Sequence, residues 1–133
     1  MKEIHVEAVT ENLDTILEFM NGELEASGCP MKLQMQMNIA AEEIFVNIAS
    51  YAYKPETGVA VVRVSARDMV VIEFEDSGKP YNPLENEDPD ISLSADERQV
   101  GGLGVFMVKQ FMDEVDYRYE GGKNILTLKK LIA

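Results

Sequence analysis

Between Val59 and Glu75 the chain alternates in a way that a half-buried sheet explains. Val59 to Ala66 is rich in β-branched residues, Arg67-Asp68 supplies a turn, and Val70, Ile72 and Phe74 then alternate with Val71, Glu73 and Glu75. Successive strand side chains point to opposite faces, so the pattern predicts an antiparallel hairpin with one apolar side. Helical patterns that can cover that side precede it. Leu13, Ile16, Leu17, Met20 and Leu24 recur at three- and four-residue spacing after a capping Thr10 or Asn12, until Ser27-Gly28-Cys29-Pro30 stops the helix. From about Met31 to Tyr53, the residues Met37, Ala40, Ala41, Ile44, Ile48, Tyr51 and Ala52 form one stripe at about 100° per residue, which predicts a second helix.

The ends of the chain complete the pattern. Ile4 and Val6 suit a first strand over residues 2 to 9, and Leu103 to Met112, apolar almost all round, predicts a buried helix opened by glycines. Tyr117 and Tyr119, then Gly121-Gly122-Lys123-Asn124, then Ile125 to Lys130 predict a closing hairpin. Tyr81 to Arg98 holds two prolines and many acids with little periodicity, and a long loop of this kind is often a lid or a binding segment. No repeat and no low-complexity segment interrupts the chain, and its 133 residues predict a single domain over 1–133.

Charge and cysteine content exclude several classes of function. A net charge of −12 with no basic stripe argues against a phosphate-backbone partner, so no direct contact with nucleic acid is expected. Cys29 has no second thiol, and His5 is the only histidine, which rules out a disulfide framework and a thiolate metal site. Neither a membrane span nor a secretory signal is read from the sequence, so the expected location is cytoplasmic.

Three stretches carry residues suited to chemistry. Glu43 and Asn47 stand four residues apart and share a helix face beside the apolar stripe, with Glu42 on the other flank. An acid beside a neutral amide suits water activation and magnesium, which prefers oxygen ligands and keeps several waters; a solvated helix face is the plain alternative. Asp76-Ser77-Gly78-Lys79-Pro80 follows directly on a strand, where glycine admits a ligand to the backbone and aspartate can accept a hydrogen bond from an exocyclic amino group. A simple β-turn has the same composition. Gly101-Gly102-Leu103-Gly104 opens an apolar helix and would offer free N–H groups to a phosphate, or merely permit tight packing. It lacks the Walker lysine and a preceding strand, and the dinucleotide fingerprint fails too. Elsewhere, His5 suits an ordinary edge or packed position, while Met31, Met35 and Met37 suit either core filling or an adaptable partner surface.

In their order and spacing, the helix with Glu43 and Asn47, the strand ending in Asp76-x-Gly78-x-Pro80, the long loop and Gly102-x-Gly104 resemble the N, G1 and G2 boxes of the GHKL (Bergerat-fold) ATPases. Ala49-Ser50-Tyr51-Ala52-Tyr53 and the run from Gly101 to Lys109 resemble most closely the bacterial anti-sigma factor / serine-protein kinase group, whose domain is histidine-kinase-like. The resemblance spans about Ile4 to Leu131. It implies Glu43 as general base, Asn47 as the magnesium ligand, Asp76 as acceptor of the adenine amino group and Gly78 as the residue leaving room for the ring. It further implies Thr127 supporting the adenine contact through water, Gly102 and Gly104 giving N–H groups to the phosphates, an ATP lid over about 82–100, and Arg98 reaching from that lid. Two departures stand out: Tyr51 where relatives often have histidine, and Pro80 where the larger ATPases usually have Gly-Ile or similar.

The implied fold is α+β, a two-layer sandwich whose mixed, mainly antiparallel sheet carries three main helices on one face. The implied function is an ATP- and magnesium-dependent serine/threonine-protein kinase that phosphorylates a small anti-sigma-factor antagonist, with a sigma factor as a further partner and one sheet face left for a partner or a homodimer. A non-catalytic, nucleotide-responsive module that sequesters a protein partner would need the same pocket.

Overall fold

In a computed structural model, described over residues 1–53, 56–85 and 102–132, the strands form one five-stranded sheet of order β1-β2-β3-β5-β4. They are β1 (Lys2–Glu7), β2 (Val59–Ala66), β3 (Met69–Asp76), β4 (Glu114–Glu120) and β5 (Lys123–Leu131). Every pairing is antiparallel, so the expected mixed sheet is corrected to a purely antiparallel one among the described residues. The helices are α1 (Leu13–Ala26), α2 (Met31–Asn47) and α3 (Gly102–Phe111).

The register explains the two layers. Val62, Phe74 and Leu126 form one cross-strand row of even-numbered residues and Val64, Ile72 and Leu128 the next, and all are buried in one cluster with Ile16, Met20 and Leu24 of α1 and Met37, Ala41 and Phe45 of α2. Each fully buried large side chain of this set contributes roughly 1.5–3 kcal/mol. The odd-numbered partners Arg63, Glu73, Glu75 and Thr127 lie on the opposite face, where Arg63 Nη1 bonds Glu73 at 2.9 Å and Glu75 at 3.1 Å.

Helix ends follow local chemistry. After α1, Gly28 takes φ +71°, Gly28 N donates to Glu25 O and Cys29 N donates to Leu24 O. This pair of bonds is a Schellman stop, and it carries buried Cys29 back onto Leu24. At the start of α1, Asn12 makes no cap bond; its amide instead donates to Glu7 O at 2.8 Å and ties the helix entry to β1. Between β4 and β5, Gly121 and Gly122 both have positive φ, +62° and +78°, as a two-residue hairpin turn matched to the sheet twist requires.

Gly22 sits inside α1 with nothing within 4 Å of where a Cβ would stand. No packing requires it, so Gly22→Ala is expected to stabilise the fold by about 0.5–1 kcal/mol. A chemical-denaturation midpoint that does not rise would contradict this.

Candidate functional site

The end of β3 and the start of β5 meet at a buried polar node. Asp76 and Asn124 are register partners, 6% and 7% exposed, and both carry the even parity of the helix-facing side. Asp76 Oδ1 accepts from Gly78 N at 2.9 Å and from Asn124 Nδ2 at 3.0 Å. The same Asn124 amide donates to Lys79 O at 2.8 Å, while its oxygen accepts from Tyr81 N at 3.0 Å and from the Tyr117 hydroxyl. Burial pushes the Asp76 carboxyl above the ordinary aspartate value; the Asn124 and Gly78 bonds oppose that, and Glu75 adds to it. Asp76 Oδ2 receives no hydrogen bond from the described residues. The Asp76 residue lines a cavity of about 240 Å³ whose walls include Ile44, Ile48, Phe74 and Leu126.

Asn124 was not singled out by the sequence, which offered it only as a turn residue. The available signal was parity: Asn124 shares the face of Leu126 and Leu128, whereas Thr127 does not. The structure accordingly does not bring Thr127 to the cavity; its hydroxyl lies on the other sheet face, 3.5 Å from Glu73 Oε2. Asn124→Leu would leave the Tyr81 N–H and the Lys79 carbonyl without this partner and is expected to cost about 1–3 kcal/mol. Thermal melting unchanged from wild type would contradict that role.

Along one wall runs the end of α2. Asn47 Nδ2 donates to Glu43 Oε1 at 3.1 Å, as four-residue spacing allows, and no described residue donates to Asn47 Oδ1. Burial raises the Glu43 carboxyl above its ordinary value, the Asn47 bond acts against this, and Glu42 adds to it. Immediately after Asn47 the helix widens into a π-helical turn over Ile48–Ala52. The wider turn breaks the 100° stripe, so Tyr51 is not in the core as its spacing predicts: it borders the cavity and is 54% exposed.

That turn is fastened to the Asp76 loop. Lys79 N donates to Ala52 O at 3.1 Å, and Tyr53 Oη accepts from Ser77 N and donates to Val59 O, both at 2.7 Å. A Cβ on Gly78 would stand 2.3 Å from the Ala52 carbonyl oxygen. Here the glycine makes room for the chain's own backbone, where the resemblance implied room for a ligand ring. Of the remaining expected residues, Gly102 opens α3 and Gly104 lies in its first turn, where helix N–H groups lack helical acceptors. α3 packs on α2, with Val105 and Val108 buried. Arg98, Gly101 and residues 86–100 of the expected lid lie outside the described residues.

Comparison with known proteins matches residues 6–130 to the histidine kinase-like ATPase domain. The chain belongs to this family. Among relatives, it is 31% identical over 100 residues to the serine/threonine-protein kinase BtrW of Bordetella bronchiseptica, covering 73% of this chain and 70% of that one. It is 27% identical over 132 residues to the serine-protein kinase RsbW of Bacillus cereus, covering 96% and 82%. A structure of the RsbU and RsbW domains of Rv1364c from Mycobacterium tuberculosis superposes with a TM-score of 0.65 at 14% identity, covering 99% of this chain but 33% of that one. That likeness concerns the fold, since the chain spans about a third of the solved protein.

The residues present fit what a histidine kinase-like ATPase domain must hold. Asp76 Oδ2, with no donor among the described residues, is free to accept from a ligand, and the apolar lining of the cavity suits a flat ring. For a metal, the described residues offer no cluster of three acidic, histidine or cysteine side chains. A single amide oxygen such as Asn47 Oδ1 suits magnesium, which takes one or two protein ligands and completes its shell from phosphates and water.

Proposed function

We propose that this chain is an ATP- and magnesium-dependent protein serine/threonine kinase of the anti-sigma regulatory type, acting on a small anti-sigma-factor antagonist. The observation that carries the reading is Asp76, a buried carboxylate that lines an apolar cavity together with the Asn47 that holds Glu43. The relatives named as serine-protein kinases support the same reaction.

In this reading Asp76 Oδ2 accepts from the adenine amino group, Asn124 and Gly78 N hold the carboxylate in place, and Ile44, Ile48, Phe74 and Leu126 exclude water around the ring. Asn47 presents its oxygen to magnesium and its N–H to Glu43, fixing the two functions on one helix face. Magnesium, when bound, offsets the negative charge of the phosphates. Glu43 takes the proton of the partner's serine hydroxyl as the serine oxygen bonds to the γ-phosphorus and the bond to the β-phosphate oxygen breaks, leaving phosphoserine and ADP. The raised carboxyl of Glu43 makes it a better proton acceptor than a solvated glutamate. A sigma factor as the sequestered partner, a homodimer and a cytoplasmic location complete the proposal. Among the described residues no helix is long and apolar enough to cross a membrane.

Incubation of the protein with its antagonist and ATP labelled in the γ-phosphate tests the reaction. Label on a serine of the antagonist is expected. Tight, nucleotide-dependent association with no transfer of label would instead make the chain a binding module.

A further inference from the structure

We propose that the groove between α1 and α2 on the outer face of the helical layer is a docking site for a basic amphipathic helix of a partner protein. Met31, Met35 and Ile39 stand at i, i+4 and i+8 on α2 and are 70%, 60% and 42% exposed, while Met37 of the same helix is wholly buried. The methionines therefore divide between core and surface. An exposed apolar stripe over more than two turns is the pattern by which one helix receives another, and methionine adapts to the incoming side chains.

The groove these residues line has a volume of about 370 Å³, and Asn21 and Asn38 lie within it. Their amides are bonded to each other reciprocally, at 2.9 and 2.8 Å, and Asn38 also donates to Gln34 O at 2.6 Å. Both N–H groups of Asn38 and both amide oxygens thus already have partners, so an apolar side chain can cover these without leaving them stranded. Charge selects among apolar partners. Glu18 and Glu25 share the α1 face of Asn21, at three- and four-residue spacing, and exposed Glu42 stands one turn beyond Ile39. Lys32 is the nearby cation on α2. A second copy of this chain, also at −12, would bring like charge to that rim; a helix with lysine or arginine beside its apolar stripe would complement it.

The site is separate from Glu43, Asn47 and Asp76, and its test needs no nucleotide. The probe is a synthetic 18-residue helix with leucine at i, i+3, i+4 and i+7 spacing and lysine elsewhere, titrated by fluorescence anisotropy. A shuffled peptide of the same composition and a version with glutamate for lysine serve as controls. The patterned basic peptide is expected to bind at least about tenfold tighter than the shuffled one. Met31→Ser with Met35→Ser should abolish that difference, and Glu18→Lys with Glu25→Lys should shift preference to the acidic peptide; all four side chains are at the surface, and circular dichroism checks each fold. Equal binding of patterned and shuffled peptides, or a methionine variant that binds like wild type, would overturn the proposal. So would sedimentation showing that wild type self-associates and the methionine variant does not, since the groove would then belong to a second copy.

Discussion

Glu43→Gln is expected to slow phosphoryl transfer to the antagonist by a factor of about 10²–10⁴, the usual contribution of a positioned general base, while leaving nucleotide affinity unchanged. Glutamine keeps an oxygen to accept the 3.1 Å bond from Asn47, so the helix face and the magnesium ligand stay in place. Only the proton acceptor is removed. The same substitution should raise stability at neutral pH. The Glu43 carboxyl is raised in the folded protein, chiefly by burial, so the native state holds its proton more tightly than the unfolded chain does. Its stabilising contribution is complete below the unfolded value and is lost as pH rises through the raised folded value. The variant should therefore melt above wild type at pH 7, and the difference should close below the ordinary glutamate range. Single-turnover rates and melting curves at pH 4 and 7 check both parts. An active variant would remove Glu43 from the chemistry.

Asp76→Asn is expected to weaken ATP binding by about tenfold to a hundredfold, the equivalent of losing one hydrogen bond to a charged group, at roughly 1.5–3 kcal/mol. The side chain is nearly isosteric, and its oxygen can still accept from Gly78 N and Asn124 Nδ2. What changes is the second position, where an N–H would face the adenine amino group, donor against donor. Burial raises the Asp76 carboxyl as it does that of Glu43, so the apo variant should melt higher than wild type at neutral pH. Loss of affinity together with gain in stability separates a binding role from a structural one. Displacement of a fluorescent adenine nucleotide measures the first and thermal melting the second; unchanged affinity would contradict the assignment.

The elements that could be read from the sequence are those where one physical constraint dominates. Alternation of Val70, Ile72 and Phe74 with Val71, Glu73 and Glu75 defined the buried sheet face, and Gly28 with Pro30 defined the end of α1. Glu43 and Asn47 were legible because helical spacing alone brings them together. Thr127 and Asn124 were harder, because residue type favoured one while strand parity chose the other. Tyr51 was misplaced because the π-helical turn shifts the phase of the helix, and local propensity carries no mark of it. The methionines of α2 could be sorted only once the layer beneath them was known: Met37 faces the sheet, whereas Met31 and Met35 face outward.

Calorimetric titration of the wild-type protein with ATP and with GTP, each in magnesium, tests the central claim most directly. Guanine carries a carbonyl where adenine carries its amino group, so it would set oxygen against the Asp76 carboxylate. Saturable heat with ATP and none with GTP at the same concentrations is the predicted result. No saturable binding of ATP, or equal binding of the two nucleotides, would mean that Asp76 and its cavity do not read adenine.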